Sequence, residues 1–150
     1  MAESVITILS YIYGGAVAER LLGRKIDVEY NKEGRIRRVY IDGKLAFVLR
    51  NNDGYLLPTL YGALFIDSKI TVSEDAARFV EMGRNVPVKH IKGASGKLRA
   101  NGEVAVVDLK GRVIAVGRLI YSVRELTLEK GYAVKVREAK KDVEKQELLQ

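Results

Sequence analysis

Between Met82 and Gly102 the chain places Arg84, Lys89, Lys92, Lys97 and Arg99 without a single Asp or Glu. Elsewhere acids and bases mostly alternate closely, and Lys110 to Arg124 is the other basic run. The same stretch carries the only histidine, His90, and is punctuated by Gly83, Pro87, Gly93, Gly96 and Gly102. Positive charge attracts phosphate, and small residues let the backbone approach it. The competing reading is a solvated lysine-rich loop with no partner.

Other chemistry is scarce. With no cysteine, disulfides, thiolate nucleophiles and cysteine-ligated zinc drop out together. His90 has no second histidine to share a metal, so a surface or groove role is expected, and no motif supports a Ser–His triad. Asp27, Asp42 and Asp53, the only aspartates before Asp67, read as strand-end or turn residues and form no convincing acid–base pair. Gly14-Gly15 lacks the spacing and lysine of a phosphate loop. The expectation is no catalytic residue, no metal and no cofactor.

The chain has 150 residues, 47% of them hydrophobic, enough for one domain or two small ones. No apolar run approaches the roughly 20 residues of a membrane span, and Glu3 with no basic n-region argues against a signal peptide. A cytoplasmic protein is expected. The net charge of +7 is uneven. Residues 1–67 hold nine Lys/Arg against eight Asp/Glu, and residues 68–150 hold seventeen against eleven, so the excess lies in the second half.

Hydrophobic spacing predicts a helical segment over 3–22, interrupted at Gly14-Gly15 and stopped by Gly23. Strands follow at Asp27–Tyr30, Arg35–Ile41 and Lys44–Leu49, the last two joined by an Asp42-Gly43 hairpin turn. Leu56–Phe65 reads as a short apolar helix over three strands. Lys69–Val72 reads as a strand, and Ser73 as the N-cap of a helix ending at Gly83. Strands are expected at Val86–Ile91, Val104–Asp108, Val113–Ile120 and Tyr132–Val136, with a helix at Ser122–Glu129. Glu138–Gln150 is a mixed-charge helix former with little to bury. The pattern gives an α+β chain: a small helix-on-antiparallel-sheet unit (1–67), a β-rich half-closed barrel (68–138) and a charged tail (139–150).

Four blocks of residues then carry a resemblance. Phe79-Val80-Glu81-Met82-Gly83-Arg84-Asn85-Val86 is the first, and Leu98-Arg99 leading into Val104–Asp108 the second. Val113–Arg118 and Gly131–Arg137 follow in order. Together they resemble the PUA domain, an RNA-binding pseudobarrel. Gly34–Arg37 with Val39-Tyr40, Leu49-Arg50 with Asp53-Gly54, and Pro58–Leu60 with Gly62-Ala63 are similar to the small domain preceding PUA in archaeal tRNA-guanine transglycosylases. One departure is Gly102-Glu103, where the family usually shows Gly-Asp. Nothing matches the large catalytic barrel, so the resemblance implies RNA binding without base exchange.

The resemblance also implies an RNA groove at Gly83, Arg84 and Asn85, with Lys89 and Lys92 just beyond, which coincides with the acid-free stretch. Lys97 and Arg99 flank the following loop. Lys135 and Arg137 share one strand face with Ala133 and are candidates against a solvated edge. Arg35, Arg37 and Arg38 lie on one strand, Arg35 and Arg37 on a shared face, and are expected to pair with Glu29 or Asp27 across strands. Most of Tyr11, Tyr13, Tyr30, Tyr40, Tyr55 and Tyr61 are expected in the core. The function implied is a non-catalytic module for structured RNA, tRNA first, acting alone or docked to a tRNA-modifying enzyme subunit. The alternative is a translation factor that positions tRNA on the ribosome.

Overall fold

The computed structural model describes residues 2–50, 53–121 and 130–143. The opening helical period resolves into α1 (Ala2–Tyr13) and α2 (Ala16–Leu21). Gly14 separates them with a φ of +103°, a backbone state open to glycine without steric cost. Val5, Leu9, Tyr13, Val17 and Leu21 are all buried, so the helices keep one apolar face across the break.

That face covers a four-stranded antiparallel sheet of β1 (Ile26–Tyr30), β2 (Ile36–Ile41), β3 (Lys44–Leu49) and β4 (Leu56–Pro58), in that order. Asp42 and Gly43 take φ of 52° and 82°, the positive values a type I′ hairpin turn requires. The expected helix at Leu56–Phe65 is corrected: its first part is a fourth strand, followed by a 3-10 turn over Gly62–Phe65. Pairing of Leu56–Pro58 with Phe47–Leu49 outweighs the apolar helical look, and Pro58 is tolerated because β4 is an edge. Gly62 then passes so close to β3 that a Cβ there would lie 2.0 Å from the Ala46 carbonyl oxygen.

The second sheet has six strands: β5 (Lys69–Val72), β6 (Val86–Pro87), β7 (Ile91–Ser95), β8 (Glu103–Val107), β9 (Val113–Leu119) and β10 (Tyr132–Ala139). Their order is β6-β10-β9-β8-β5-β7, with only β5 and β8 parallel. Helix α3 (Glu74–Val80) starts on Ser73, whose hydroxyl accepts the Ala76 N–H at 3.2 Å, as its N-cap reading anticipates. The single strand expected at Val86–Ile91 is corrected to β6, a 3-10 turn at Val88–His90, and β7, which also takes in part of the expected loop. The two strands lie at opposite edges of the sheet, so they cannot be continuous.

The closing strand runs past Val136 to Ala139, with a bulge between Val136 and Glu138, so the expected tail begins inside the sheet. Ala139 is buried, and the Lys141 N–H donates to the Glu81 carbonyl. The helix expected at Ser122–Glu129 and the tail beyond residue 143 lie outside the described residues.

Two apolar clusters result. One joins α1, α2 and the first sheet, and the other fills the curled second sheet under α3. Ala105 and Val116, from β8 and β9, belong to the first cluster, so the outer side of the second sheet is packed as well. Introducing a methyl at Gly62 should therefore push β3 from the turn. Gly62→Ala is expected to lower unfolding free energy by about 2–3 kcal/mol, whereas Gly15→Ala, with open space around it, should change it by less than about 0.5 kcal/mol. Urea midpoints check this; equal midpoints for the two variants would contradict the close approach.

Candidate nucleic-acid interface

The groove begins where α3 stops. Gly83 takes φ +96°, its N–H donates to Val80 O at 2.9 Å, and the Arg84 N–H donates to Phe79 O at 3.2 Å. This closes the helix and points the chain toward the sheet edge. Asn85 is anchored at once, its side-chain oxygen accepting the Val136 N–H at 3.0 Å beside the β10 bulge. Val86 and Pro87 then pair with Val134 and Tyr132, and the Val88 N–H donates to Gly131 O at 2.9 Å.

His90 is held from two sides. Its Nδ1 lies 3.1 Å from the Ser73 hydroxyl, and its ring meets Phe79 edge-to-face at 5.8 Å. Phe79, Gly83, Arg84, Asn85, Pro87, Lys89, His90 and Tyr132 together line an open groove of about 640 Å³. Arg84 and Lys89 are exposed, no acid lines the groove, and neither cation is paired to a carboxylate among the described residues. Such a surface attracts phosphate without competing internal ion pairs.

The structure thus brings Gly83, Arg84, Asn85 and Lys89 together. Asn85 also holds the wall through its bond to β10. Lys92 is exposed on the edge strand β7 and does not line the groove. Phe79, Pro87, His90 and Tyr132 complete it. Tyr132, 54% exposed, has no local signal in the sequence, and its place opposite Pro87 follows only once β10 is known to pair with β6. Lys141 adds a cation that chain position alone does not suggest: its Nζ would lie 4.0 Å from a Cβ placed on Gly83.

The remaining candidates lie elsewhere. Lys97 donates to the Tyr11 carbonyl and places its ammonium 4.8 Å from the Tyr11 ring centroid, while Arg99 lines a second cleft beside α1. Lys135 is exposed on β10 opposite Arg118. Arg137 departs from simple alternation because it occupies the bulge. Its guanidinium bonds the Glu103 carboxylate at 2.6 Å and the Pro58 carbonyl at 2.7 Å. The Glu103 side chain is 2% exposed, so the extra methylene of the Gly102-Glu103 variation carries a buried carboxylate to an arginine. Arg37 and Arg38 pair with Glu29, at 3.6 and 3.1 Å, while Asp27 faces Lys25. The expectation that most of the tyrosines are core is corrected. Tyr13 is buried, but Tyr11 and Tyr30 are exposed and Tyr40, Tyr55 and Tyr61 half-buried, because a small sheet and two helices leave many edges.

A six-stranded sheet curled around one capped helix, with a groove at the helix end, defines a PUA-type pseudobarrel. Residues 68–139 match the PUA domain family, and residues 3–72 match the patch-forming domain C2 of tRNA-guanine transglycosylase. The chain is a C2–PUA pair, homologous to the C-terminal region of archaeal tRNA-guanine transglycosylases. It is 32% identical over 146 residues to tRNA-guanine(15) transglycosylase of Thermoplasma acidophilum, a match covering 92% of this chain and 23% of the relative. With that of Methanocaldococcus jannaschii it shares 35% identity over 139 residues, covering 86% and 21%. The chain therefore spans less than a quarter of the length of these relatives. Among solved structures, a hypothetical protein of Pyrococcus horikoshii has a similar fold, with a TM-score of 0.70, 21% identity, and coverage of 91% of this chain and 88% of that one. A conserved PUA domain protein from Thermoplasma acidophilum gives 0.69 and 20%, with coverage of 92% and 87%.

Arg137→Ala strips the buried Glu103 carboxylate of its ion-pair partner. It is expected to cost about 2–3 kcal/mol, less than a fully buried pair because the arginine is partly exposed. Lys135→Ala should be neutral within about 0.5 kcal/mol. Chemical denaturation of the two variants distinguishes them, and equal stabilities would contradict the role given to Arg137.

Proposed function

We propose that this chain is a non-catalytic RNA-binding module of tRNA modification that grips structured RNA, tRNA first, through the groove at the end of α3. The observation that carries the reading is the convergence of Gly83, Arg84, Asn85 and Lys89 in a groove that no acid lines among the described residues. The names of its relatives supply the RNA class, since those enzymes act on tRNA guanine. The exposed cations contact phosphates, and the Gly83 turn lets the backbone come close. Affinity then comes from charge and from the shape of an A-form stem, whose deep major groove side chains do not read.

A sequence without cysteine and with one histidine offers little to act as nucleophile or tuned acid–base pair, so catalysis is assigned to a partner. That partner is a tRNA-modifying enzyme subunit.

Binding of tRNA should be salt-dependent, log affinity falling against log salt by about 0.9 per phosphate contact. Replacing Arg84 and Lys89 together by Ala should weaken binding at least about tenfold and flatten that slope by about two contacts. A hairpin should compete with labelled tRNA better than a polyuridine of equal charge. Unchanged affinity and slope in a folded double variant would refute the groove assignment, and equal competition by polyuridine would reduce the protein to a generic polyanion binder.

A further inference from the structure

A second cleft of about 640 Å³ lies where α1, the β3–β4 connection and the Arg99–Gly102 turn meet, and its walls come from both sheets' sides of the molecule. Ile8, Tyr11, Ile12, Arg50, Tyr55 and Arg99 give it its character. Its size falls within the range of small-molecule sites, about 300–1,000 Å³.

The aromatic walls are oriented. Tyr55 stacks on buried Tyr13 with centroids 6.0 Å apart, and the Arg50 guanidinium lies 5.1 Å from its ring centroid. The Tyr55 hydroxyl would lie 3.2 Å from a Cβ at Gly102, so the turn leans on it. Tyr11 is 69% exposed, with the Lys97 ammonium over its ring. The charges are unbalanced: among the described residues Asp53 is the only acid lining the cleft and is bound by Arg50 at 2.8 Å, while Arg99 has no carboxylate partner.

We infer that this cleft holds one unpaired nucleotide of the bound RNA, its base against Tyr11 and Tyr55 and its phosphate at Arg99. Unpaired bases stack on aromatic rings and guanidinium planes, and adjacent cations take the phosphate. A free phosphate would leave the aromatic walls unused, and an apolar side chain would leave Arg99 uncompensated. The inference rests on the RNA-binding reading but on separate residues, since none of these six lines the α3 groove.

The test compares a blunt RNA hairpin with the same hairpin carrying two unpaired nucleotides at its 5′ or its 3′ end. Wild-type protein should bind one extended form about tenfold more tightly, the gain of one stacked base. Tyr11→Ala with Arg99→Ala, both at exposed positions, should lose that gain and keep the blunt-hairpin affinity. Arg84→Ala with Lys89→Ala should weaken both RNAs by the same factor. A photoreactive uridine in the extension should crosslink to residues 7–12 or 53–55. Equal affinity for blunt and extended hairpins, or a gain that survives in the Tyr11/Arg99 variant, overturns the inference and leaves the cleft to a protein partner. If the gain follows Tyr11 and Arg99 while the Arg84/Lys89 variant binds normally, the cleft stands and the groove reading fails. Binding of neither RNA overturns both.

Discussion

Chain continuity between β6 and β7 is the constraint on which the second half of the molecule depends. The two strands follow one another in sequence yet occupy opposite edges of a six-stranded sheet. Only Val88–His90 joins them, in a 3-10 turn whose rise of about 2 Å per residue spans about 6 Å. The sheet must curl until its edges nearly meet, and the turn crosses the gap. Pro87 ends one strand, the Val88 N–H finds Gly131 O, and Asn85 closes the bulge in β10. Lys89 and His90 sit on the crossing itself, so the cationic groove is placed by the same residues that close the barrel.

The outer face of that barrel is bound to the first sheet. β8 is buried along its whole length because Val104 and Val106 face the barrel core while Ala105 faces the helices and the first sheet. The Arg137 guanidinium, displaced by its bulge, bridges Glu103 to the β4 carbonyl of Pro58, and Glu138 accepts the Leu60 N–H at 2.9 Å. These contacts join β10 to the first sheet. A desolvated carboxylate makes such a junction specific, since the pair is favourable only in good geometry and costly when broken. Gly117 permits it, as a Cβ there would lie 2.2 Å from the Lys135 carbonyl oxygen beside the bulge.

Much of this was legible in the sequence, for physical reasons that differ by element. The Asp42-Gly43 hairpin, the Ser73 cap and the glycine stop at Gly83 are local signals whose geometry needs no tertiary partner. Leu56–Pro58 misled because a short apolar run suits either a buried helix or a strand, and only pairing with β3 decides. Arg84 and Lys89 of the acid-free stretch line one groove, but charge carries no topology: Lys97 and Arg99 follow β7 across to the α1 side. Arg137 could not be placed by alternation, because a bulge resets the period. Tyr132 and Lys141 reach the groove through β10, a long-range pairing that no local window contains.

The central claim is that RNA lies in the groove between the end of α3 and the β6–β7 crossing. Ultraviolet crosslinking of tRNA to the full chain, followed by mapping of the modified peptides, tests it most directly. Crosslinks within residues 79–92 and at Tyr132 are the expected result. A map with crosslinks on other surfaces and none in that segment or at Tyr132 would contradict the account.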